Sequence, residues 1–370
     1  MALLRIGKRF VASRISPAQF FGPSVSIVGI LSAAFMLFTG RINLSSFDLG
    51  ALAEQLGGQA DPTAPPIVAP TITPVRLDRA APRAEDRIRI ATYNIQKFGD
   101  AKAADTNVMQ VLATIVSSFD LVAIQEVLSP KAMPTARLVD LINRSGGRYD
   151  ATLSPPIGRT SHKEQYAFVW DTTRIRMIPD SSYVVNDNPN DDRMHREPMV
   201  ASFETRVSAT QGRQPFRFTI INAHTDPDEV SARAKNNELD VLDDVFVRVR
   251  EYEYSTHREE DFLLVGDLNV DVAQLSELGQ IPGIVSLAGN QPTNTAGTKN
   301  YDHILIDQNT TTEFTGRAGV INYVKDFGLT PEQAATVSDH CPVWAEFSIF
   351  EVPAFANIAQ QPQLDTSPQR

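Results

Sequence analysis

The sequence predicts an α/β fold of two packed sheets flanked by helices. Two observations carry this. Many strand-length apolar runs follow one another, with few helical patterns between them. Several of these runs also show period-two alternation and not the spacing of an amphipathic helix. Arg87 to Asn94 alternates Ile88, Ile90 and Thr92 with charged or aromatic residues. Leu121 to Ile124 reads as a buried strand. Further strands are expected at Tyr166–Trp170, Met199–Glu204, Phe216–Asn222, Phe262–Val265, His303–Ile306 and Val343–Phe347. Two segments are helical. Thr106 to Ser118 spaces Val108, Val111, Leu112 and Ile115 along one face, with Asp105 or Thr106 as N-cap. Ala232 to Arg250 gathers Leu239, Leu242, Val245, Phe246 and Val249 on one face.

These elements lie in a central segment of the 370-residue chain. Residues 15–40 contain no charge and have an apolar centre from Phe20 to Phe38, near the roughly 20 residues that cross a bilayer. Arg5, Lys8, Arg9 and Arg14 precede it, which by the positive-inside rule sets the N-terminus in the cytoplasm. Residues 1–45 are therefore expected to be an uncleaved signal anchor or transmembrane segment, a cleaved signal peptide being the competing reading. Residues 46–85 read as a Pro-rich linker. Residues 86–350 are the expected folded domain, and 351–370, rich in Gln, Pro and Ala, a disordered tail. The domain is thus expected on the non-cytoplasmic side of a membrane, or secreted if the leader is removed.

Net charge is -10. An acidic body argues against a polyanion binder that works through charge alone. It leaves room for a nuclease, because a cation held by carboxylates neutralises the place where a phosphate sits. The single cysteine, Cys341, excludes an intramolecular disulfide and a cysteine-rich zinc site.

Short polar words end or begin many of the apolar runs. They are Tyr93-Asn94-Ile95-Gln96, Gln125-Glu126, GRTSHKEQY at 158–166, Arg196-Glu197-Pro198, Asn222-Ala223-His224, Gly266-Asp267-Leu268-Asn269, Tyr301-Asp302-His303 and Ser338-Asp339-His340. Each has a bland reading. Gly266-Asp267 and Leu268-Asn269 are common turn chemistry, a lone His224 at a strand end is usually structural, and Glu164 and Arg196 alone would be salt-bridge residues. Together they bring carboxylates, carboxamides, histidines and arginines to strand ends. Hydrolysis of a phosphodiester needs those parts: an activated water, donors for the phosphoryl oxygens, a proton for the leaving oxygen and a hard cation. Strand alternation sets Asp267 and Asn269 on one face, and sends Asp339 and His340 to different partners.

The order and wording of these motifs resemble the endonuclease/exonuclease/phosphatase superfamily, and within it deoxyribonuclease I, over residues 87–348. ATYNIQKFGD at 91–100, GRTSHKEQYAFVW at 158–170 and HREP at 195–198 are the most specific words. The resemblance implies a DNase I-like four-layer α/β sandwich with two mostly antiparallel sheets. It implies Glu126 as the primary metal ligand beside Asn94, with Asp339 in support, and Mg²⁺ as the ion (Mn²⁺ or Ca²⁺ as alternatives). It implies His224 oriented by Glu164 and His340 oriented by Asp302 as catalytic pairs. Asp267 and Asn269 would position water and phosphate, and Arg159 and Arg196 would contact phosphate. Either histidine can be base or acid, with His340 favoured as base. Leu128 and His162 replace residues with which deoxyribonuclease I touches DNA. The implied activity is a metal-dependent, non-specific DNA endonuclease acting on duplex backbone, with no obligate protein partner. A phosphodiesterase or phosphatase acting on phospholipid or a soluble phosphate ester is the alternative.

Overall fold

A computed structural model of the chain describes residues 83–129, 133–161, 163–185, 193–210, 212–231, 234 and 237–351. The expected anchor, most of the linker, the tail after Glu351 and His162 lie outside the described residues. Among the described residues, no helix is long and apolar enough to cross a membrane.

The expected four-layer α/β sandwich is present. One sheet has six strands: β1 (Arg87–Phe98), β2 (Leu121–Val127), β3 (Tyr149–Leu153), β4 (Gln165–Asp171), β12 (Phe314–Val320) and β13 (Val343–Ser348), in the order β12-β13-β1-β2-β4-β3. The other contains β5 (Ile175–Met177), β7 (Met199–Thr205), β8 (Arg217–His224), β9 (Phe262–Asp267), β10 (Ile284–Ser286) and β11 (Asp302–Asp307), in the order β10-β11-β9-β8-β7-β5, with β6 (Tyr183–Val184) paired to β7. Each sheet is mixed. Its one parallel pair, β1 with β2 and β8 with β9, is central, and the other pairings are antiparallel.

Alternation divides each strand between two cores. Ile88 and Ile90 of β1, Leu121 and Ala123 of β2, Phe218 and Ile220 of β8, and Leu263 and Val265 of β9 pack between the sheets. The intervening Ala91 and Tyr93 of β1 pack outward against α1 (Asp100–Ala104), α2 (Thr106–Val116) and α3 (Met133–Arg144). Ile221 and Leu264 pack outward against α4 (Glu238–His257). Each fully buried aliphatic or aromatic side chain stabilises the fold by about 1.5–3 kcal/mol. Two short helices, α5 (Tyr323–Asp326) and α6 (Pro331–Val337), lead into the segment before β13.

Asp105 caps α2 as expected, its carboxylate accepting from the N–H groups of Asn107 and Val108. The second helix differs from expectation. It begins at Glu238, where Asn237 accepts from the N–H of Leu239, and runs on to His257. Its last turns, Glu251 to His257, carry mostly polar or exposed residues, so the apolar face used to find the helix ends before the helix does.

The inward-facing stripe turns polar at one end of the sandwich. Thr92 and Asn94 follow Ile90, Gln125 follows Ala123, Asn222 and His224 follow Ile220, and Asp267 follows Val265. Directly beneath that end, Gln125 Nε2 donates to Asn222 Oδ1 at 2.6 Å and to Thr92 Oγ1 at 3.0 Å. Asn222 Nδ2 donates to the carbonyl of Ile124 at 3.2 Å. These fully buried amides tie the two sheets together through the Gln125–Asn222 hydrogen bond.

Candidate active site

Sheet register builds the first row of the site. His224 pairs with Asp267 across the parallel β8–β9 ladder, and Asp302 pairs with Asp267 across β9–β11. His224, Asp267 and Asp302 therefore stand side by side at one end of one sheet. The ladder needs Gly266 there. Its φ is 143°, and a Cβ would lie 1.8 Å from the carbonyl oxygen of Ala223.

The facing sheet supplies the second row. Asn94 of β1 donates from Nδ2 to Glu126 Oε1 and to Asp267 Oδ2, both at 3.0 Å. Glu126 is aimed by a β-bulge. The β1–β2 register slips between Asn94 and Phe98, Glu126 has φ 60°, and the N–H of Lys97 (φ 49°) donates to Glu126 Oε2 at 2.8 Å. A non-glycine residue held left-handed costs on the order of 1 kcal/mol or more, offset here by two hydrogen bonds to the carboxylate. The strand thus runs past Ile124, and Glu126 sits inside it and not at its close.

Two histidine–carboxylate pairs span the gap between the sheets in opposite senses. His224, from β8, bonds through Nδ1 to Glu164 Oε2 at 3.0 Å, and Glu164 directly precedes β4 of the other sheet. His340, which precedes β13, bonds through Nδ1 to Asp302 Oδ2 at 2.8 Å, and Asp302 opens β11. Both Nε2 atoms face the same oxygen, Asp267 Oδ2, at 3.8 Å from His224 and 3.5 Å from His340.

Charge follows from these contacts. Burial works against the His340 imidazolium, but Asp302, Asp267 and Asp339 outweigh it and raise the pKa to about 10. Burial and Arg196 oppose charge on His224, and the hydrogen bond to Glu164 with nearby Asp267 leaves its pKa raised. Burial raises the Glu164 carboxyl, while His224 and Arg196 outweigh it and leave its pKa lowered. His303, the neighbour of Asp302, faces the other way. Its Nε2 lies 2.8 Å from the carbonyl of Val270, burial lowers its pKa, and it is a structural histidine.

Asp339 and His340 do face different partners. Asp339 Oδ2 accepts from Gln96 Nε2 at 2.9 Å, while His340 turns to Asp302. Ser338 holds the turn: its hydroxyl donates to the Asn94 carbonyl at 2.7 Å and accepts from the N–H of Gln96 at 3.2 Å and of His340 at 3.1 Å. Asp267 and Asn269 differ from expectation. The strand ends at Asp267, and Asn269 is left-handed with φ 54°. A turn, and not shared strand alternation, brings them together: the N–H of Asn269 donates to Asp267 Oδ1 at 3.0 Å.

The two arginines stand differently. Arg196 is buried with Nη1 3.3 Å from Glu164 Oε1, Nε donating to the His224 carbonyl and Nη2 to the Thr225 carbonyl, both at 3.1 Å. It braces the His224 segment. Arg159 is exposed, pairs with Glu229, and lies outside the cluster around Asp267.

Three supporting residues escaped the sequence reading. Tyr166 Oη accepts from the N–H of His224 at 2.9 Å. Lys102 donates to the carbonyls of Gln96 and Val337, and burial lowers its pKa to about 8 although Glu126 and Asp339 favour its charge. Glu238, fully buried at the start of α4, accepts from the N–H groups of His195 and Asp226, which flank Arg196 and His224. A glutamate opening a helix reads as dipole complementation, so nothing in the sequence marks its second task.

A family model, the endonuclease/exonuclease/phosphatase family, matches residues 91–340, a span that includes every residue of this cluster. The chain belongs to the endonuclease/exonuclease/phosphatase family. Within that family it is 31% identical over 273 residues to deoxyribonuclease-1-like 1 of Chlorocebus aethiops, covering 70% of this chain and 84% of the relative. It is 29% identical over 287 residues to deoxyribonuclease gamma of Homo sapiens, covering 73% and 88%. A conserved protein of unknown function from Enterococcus faecalis V583 aligns in structure with a TM-score of 0.48 at 16% identity, covering 70% of this chain and 98% of that one. As an endonuclease/exonuclease/phosphatase family member the chain is a hydrolase.

Several polar atoms of the cluster fit a cation. Asn94 Oδ1 and Asp339 Oδ1 are buried side-chain oxygens with no hydrogen-bond partner among the described residues. With Glu126 they make an all-oxygen set, which suits a hard divalent ion. Asp267, Asp302 and His340 also offer atoms within 4.8 Å of one another. There, however, His340 Nδ1 is engaged by Asp302 and the ring favours the protonated form, which is a poor ligand.

Proposed function

We propose that the protein is a divalent-metal-dependent phosphodiesterase that cuts DNA endonucleolytically, without sequence preference. The observation that carries this reading is the pair of histidines, each oriented by a carboxylate from the opposite sheet and each facing Asp267. The relatives' names, deoxyribonucleases in each case, support DNA as the substrate.

In this reading Glu126, Asn94 and Asp339 hold the cation, Mg²⁺ by donor chemistry, with Mn²⁺ or Ca²⁺ as alternatives. Bound there, the ion supplies charge neutralisation for a phosphoryl oxygen. The chain's own groups do the rest. Asp302 fixes the His340 ring so that Nε2 faces the reacting centre, and Glu164 does the same for His224. One imidazole takes the proton of the attacking water and the other protonates the leaving oxygen. Asp267, between them, orients the water, and the Asn269 side chain donates to phosphate. Arg196 keeps Glu164 and the His224 backbone in register, while exposed Arg159 is placed to meet the polyanion further along.

Purified full-length protein incubated with supercoiled plasmid and Mg²⁺ tests this. Nicking that EDTA stops and that His340→Ala removes is the expected result. Intact plasmid, with phosphate or phosphocholine released from lipid vesicles or soluble esters instead, would replace DNA by the alternative substrate class. We also propose, from the N-terminal sequence pattern, a location outside the cytoplasm. Protease accessibility of the intact cell's domain, with and without permeabilisation, tests it.

A further inference from the structure

All five described lysines lie at one end of the sandwich. Lys97 is near the close of β1, Lys102 is in α1, Lys163 and Lys299 shortly precede β4 and β11, and Lys325 is in α5 after β12. Strand pairing brings these ends to the side that carries Glu126, Asp267 and His340. Two of the five are occupied. Lys102 donates to the carbonyls of Gln96 and Val337, and Lys325 stands beside Asp326. Lys97, Lys163 and Lys299 are exposed, and no described carboxylate pairs with any of the three.

Each of the three is carried on a fixed backbone that also holds a site residue. The N–H of left-handed Lys97 donates to Glu126 Oε2 at 2.8 Å. Lys163 directly precedes Glu164, whose N–H and carbonyl both bond to Ile157, and the Lys163 ammonium donates to the Gly158 carbonyl. The N–H of Lys299 donates to Asn294 Oδ1 at 2.9 Å, and its carbonyl accepts from Thr293 at 2.6 Å. The same loop is pinned to the His340 segment, the N–H of Thr295 donating to the Asp339 carbonyl at 2.8 Å. The Lys299 ammonium lies 5.4 Å from the centre of the Tyr301 ring, and Tyr301 adjoins Asp302.

The strand order sets two of them on opposite flanks of the reacting groups. Lys299 leads into β11 and Asp302, and Lys163 leads into Glu164, the partner of His224 on β8. From β11 through β9 to β8 is two strand spacings, about 10 Å. That is the axial rise of about three nucleotides. Lys97 stands between the flanks, beside the proposed cation ligands. The chain's net charge of -10 would repel DNA. Screening, however, limits the field to about 8 Å at physiological salt, so charges at the gap decide the encounter. Acids at this end are already engaged: Asp100 accepts from the Ser129 hydroxyl, Asp271 from the N–H of Asn300, and Glu229 pairs with Arg159.

We propose that Lys97, Lys163 and Lys299 grip the phosphates that flank the one being cut, Lys299 on the His340 side and Lys163 on the His224 side. The proposal rests on the nuclease reading for its substrate, duplex DNA. The three lysines touch the backbone and not the bases, so they add affinity without sequence preference.

Binding of a fluorescent DNA duplex to the full-length protein, followed by anisotropy in EDTA from 50 to 200 mM NaCl, tests the grip without any cleavage. Each phosphate contact contributes about 0.9 to the slope of log affinity against log salt. Each single Lys→Gln variant should lower that slope by about one, and the triple variant by about two to three. Lys→Arg at the same positions should restore it, and Lys325→Gln should leave it unchanged. In Mg²⁺ the triple variant should raise KM for plasmid at least tenfold while hydrolysing bis(p-nitrophenyl) phosphate, which has no flanking phosphates, at the parent's rate. A parent that fails to bind the duplex, or a triple variant with the parent's slope, overturns the grip. Failure of the nuclease reading shows separately, as plasmid left intact in Mg²⁺ by a parent that binds the duplex in EDTA.

Discussion

His224 and His340 face the same oxygen of Asp267, their Nε2 atoms 3.8 Å and 3.5 Å away. One histidine comes from each sheet, and each is oriented by a carboxylate from the other. Sliding one sheet over the other would therefore misplace both pairs at once. Replacing either histidine by alanine should lower kcat for plasmid nicking on the order of 10²–10⁴-fold, the usual contribution of a positioned acid or base. Circular dichroism melts close to the parent's, alongside that loss, would separate chemistry from folding. Retention of most of the rate in both variants would contradict the assignment.

Glu164 acts on His224 through the Nδ1 contact at 3.0 Å. It favours the imidazolium, so Glu164→Gln should lower the His224 pKa. The shift is readable as an earlier loss of the charged ring in an NMR titration with rising pH. Activity should fall by at least about tenfold, because the ring also loses its orientation. An unmoved His224 titration would show that Glu164 serves Arg196 alone.

Glu238 gives the protein a pH-dependent stability component. Burial outweighs the N–H groups of His195 and Asp226 and raises its pKa from 4.5 to about 7. The folded state then holds a proton that the unfolded chain releases. The stabilisation is complete below about pH 4.5 and is lost as pH rises through about 7. Glu238→Gln mimics the protonated form. Chemical denaturation from pH 5 to pH 8 should show the parent losing stability relative to this variant, by on the order of 2 kcal/mol. Parallel stability curves for the two proteins would contradict this.

Gly266 is the tightest point of the β8–β9 ladder. A methyl group there would press on the Ala223 carbonyl at 1.8 Å. Gly266→Ala should destabilise the fold by about 3 kcal/mol. It should also move His224 and Asp267 apart, since those residues pair one step along the same ladder. Soluble protein of unchanged Tm and rate would show that the backbone gives way cheaply.

The strand runs were legible because their apolar alternation is long and regular, as in Ile88–Ile90 and Leu263–Val265. Helix α3 (Met133–Arg144) and strand β12, FTGRAGV, were not, because β12 carries two glycines and little alternation, and α3 gains its buried face from neighbours. The site residues were legible as polar words, since a polar residue closing an apolar strand stands out locally. Their exact placement was less so. Glu126 depends on a bulge, and Asn269 on a left-handed turn, and neither leaves a periodic trace.

The sequence by itself determined which residues face the gap between the sheets, because alternation is a local property of each strand. It also determined that those stripes end in carboxylates, amides and histidines. The tertiary structure alone decided how those ends are paired. His224 meets Glu164, and His340 meets Asp302, across sequence separations of 60 and 38 residues. Those contacts exist only when two sheets pack with one register, a condition set by Gln125, Asn222, Gly266 and the inter-sheet core acting together and by no single segment of the chain.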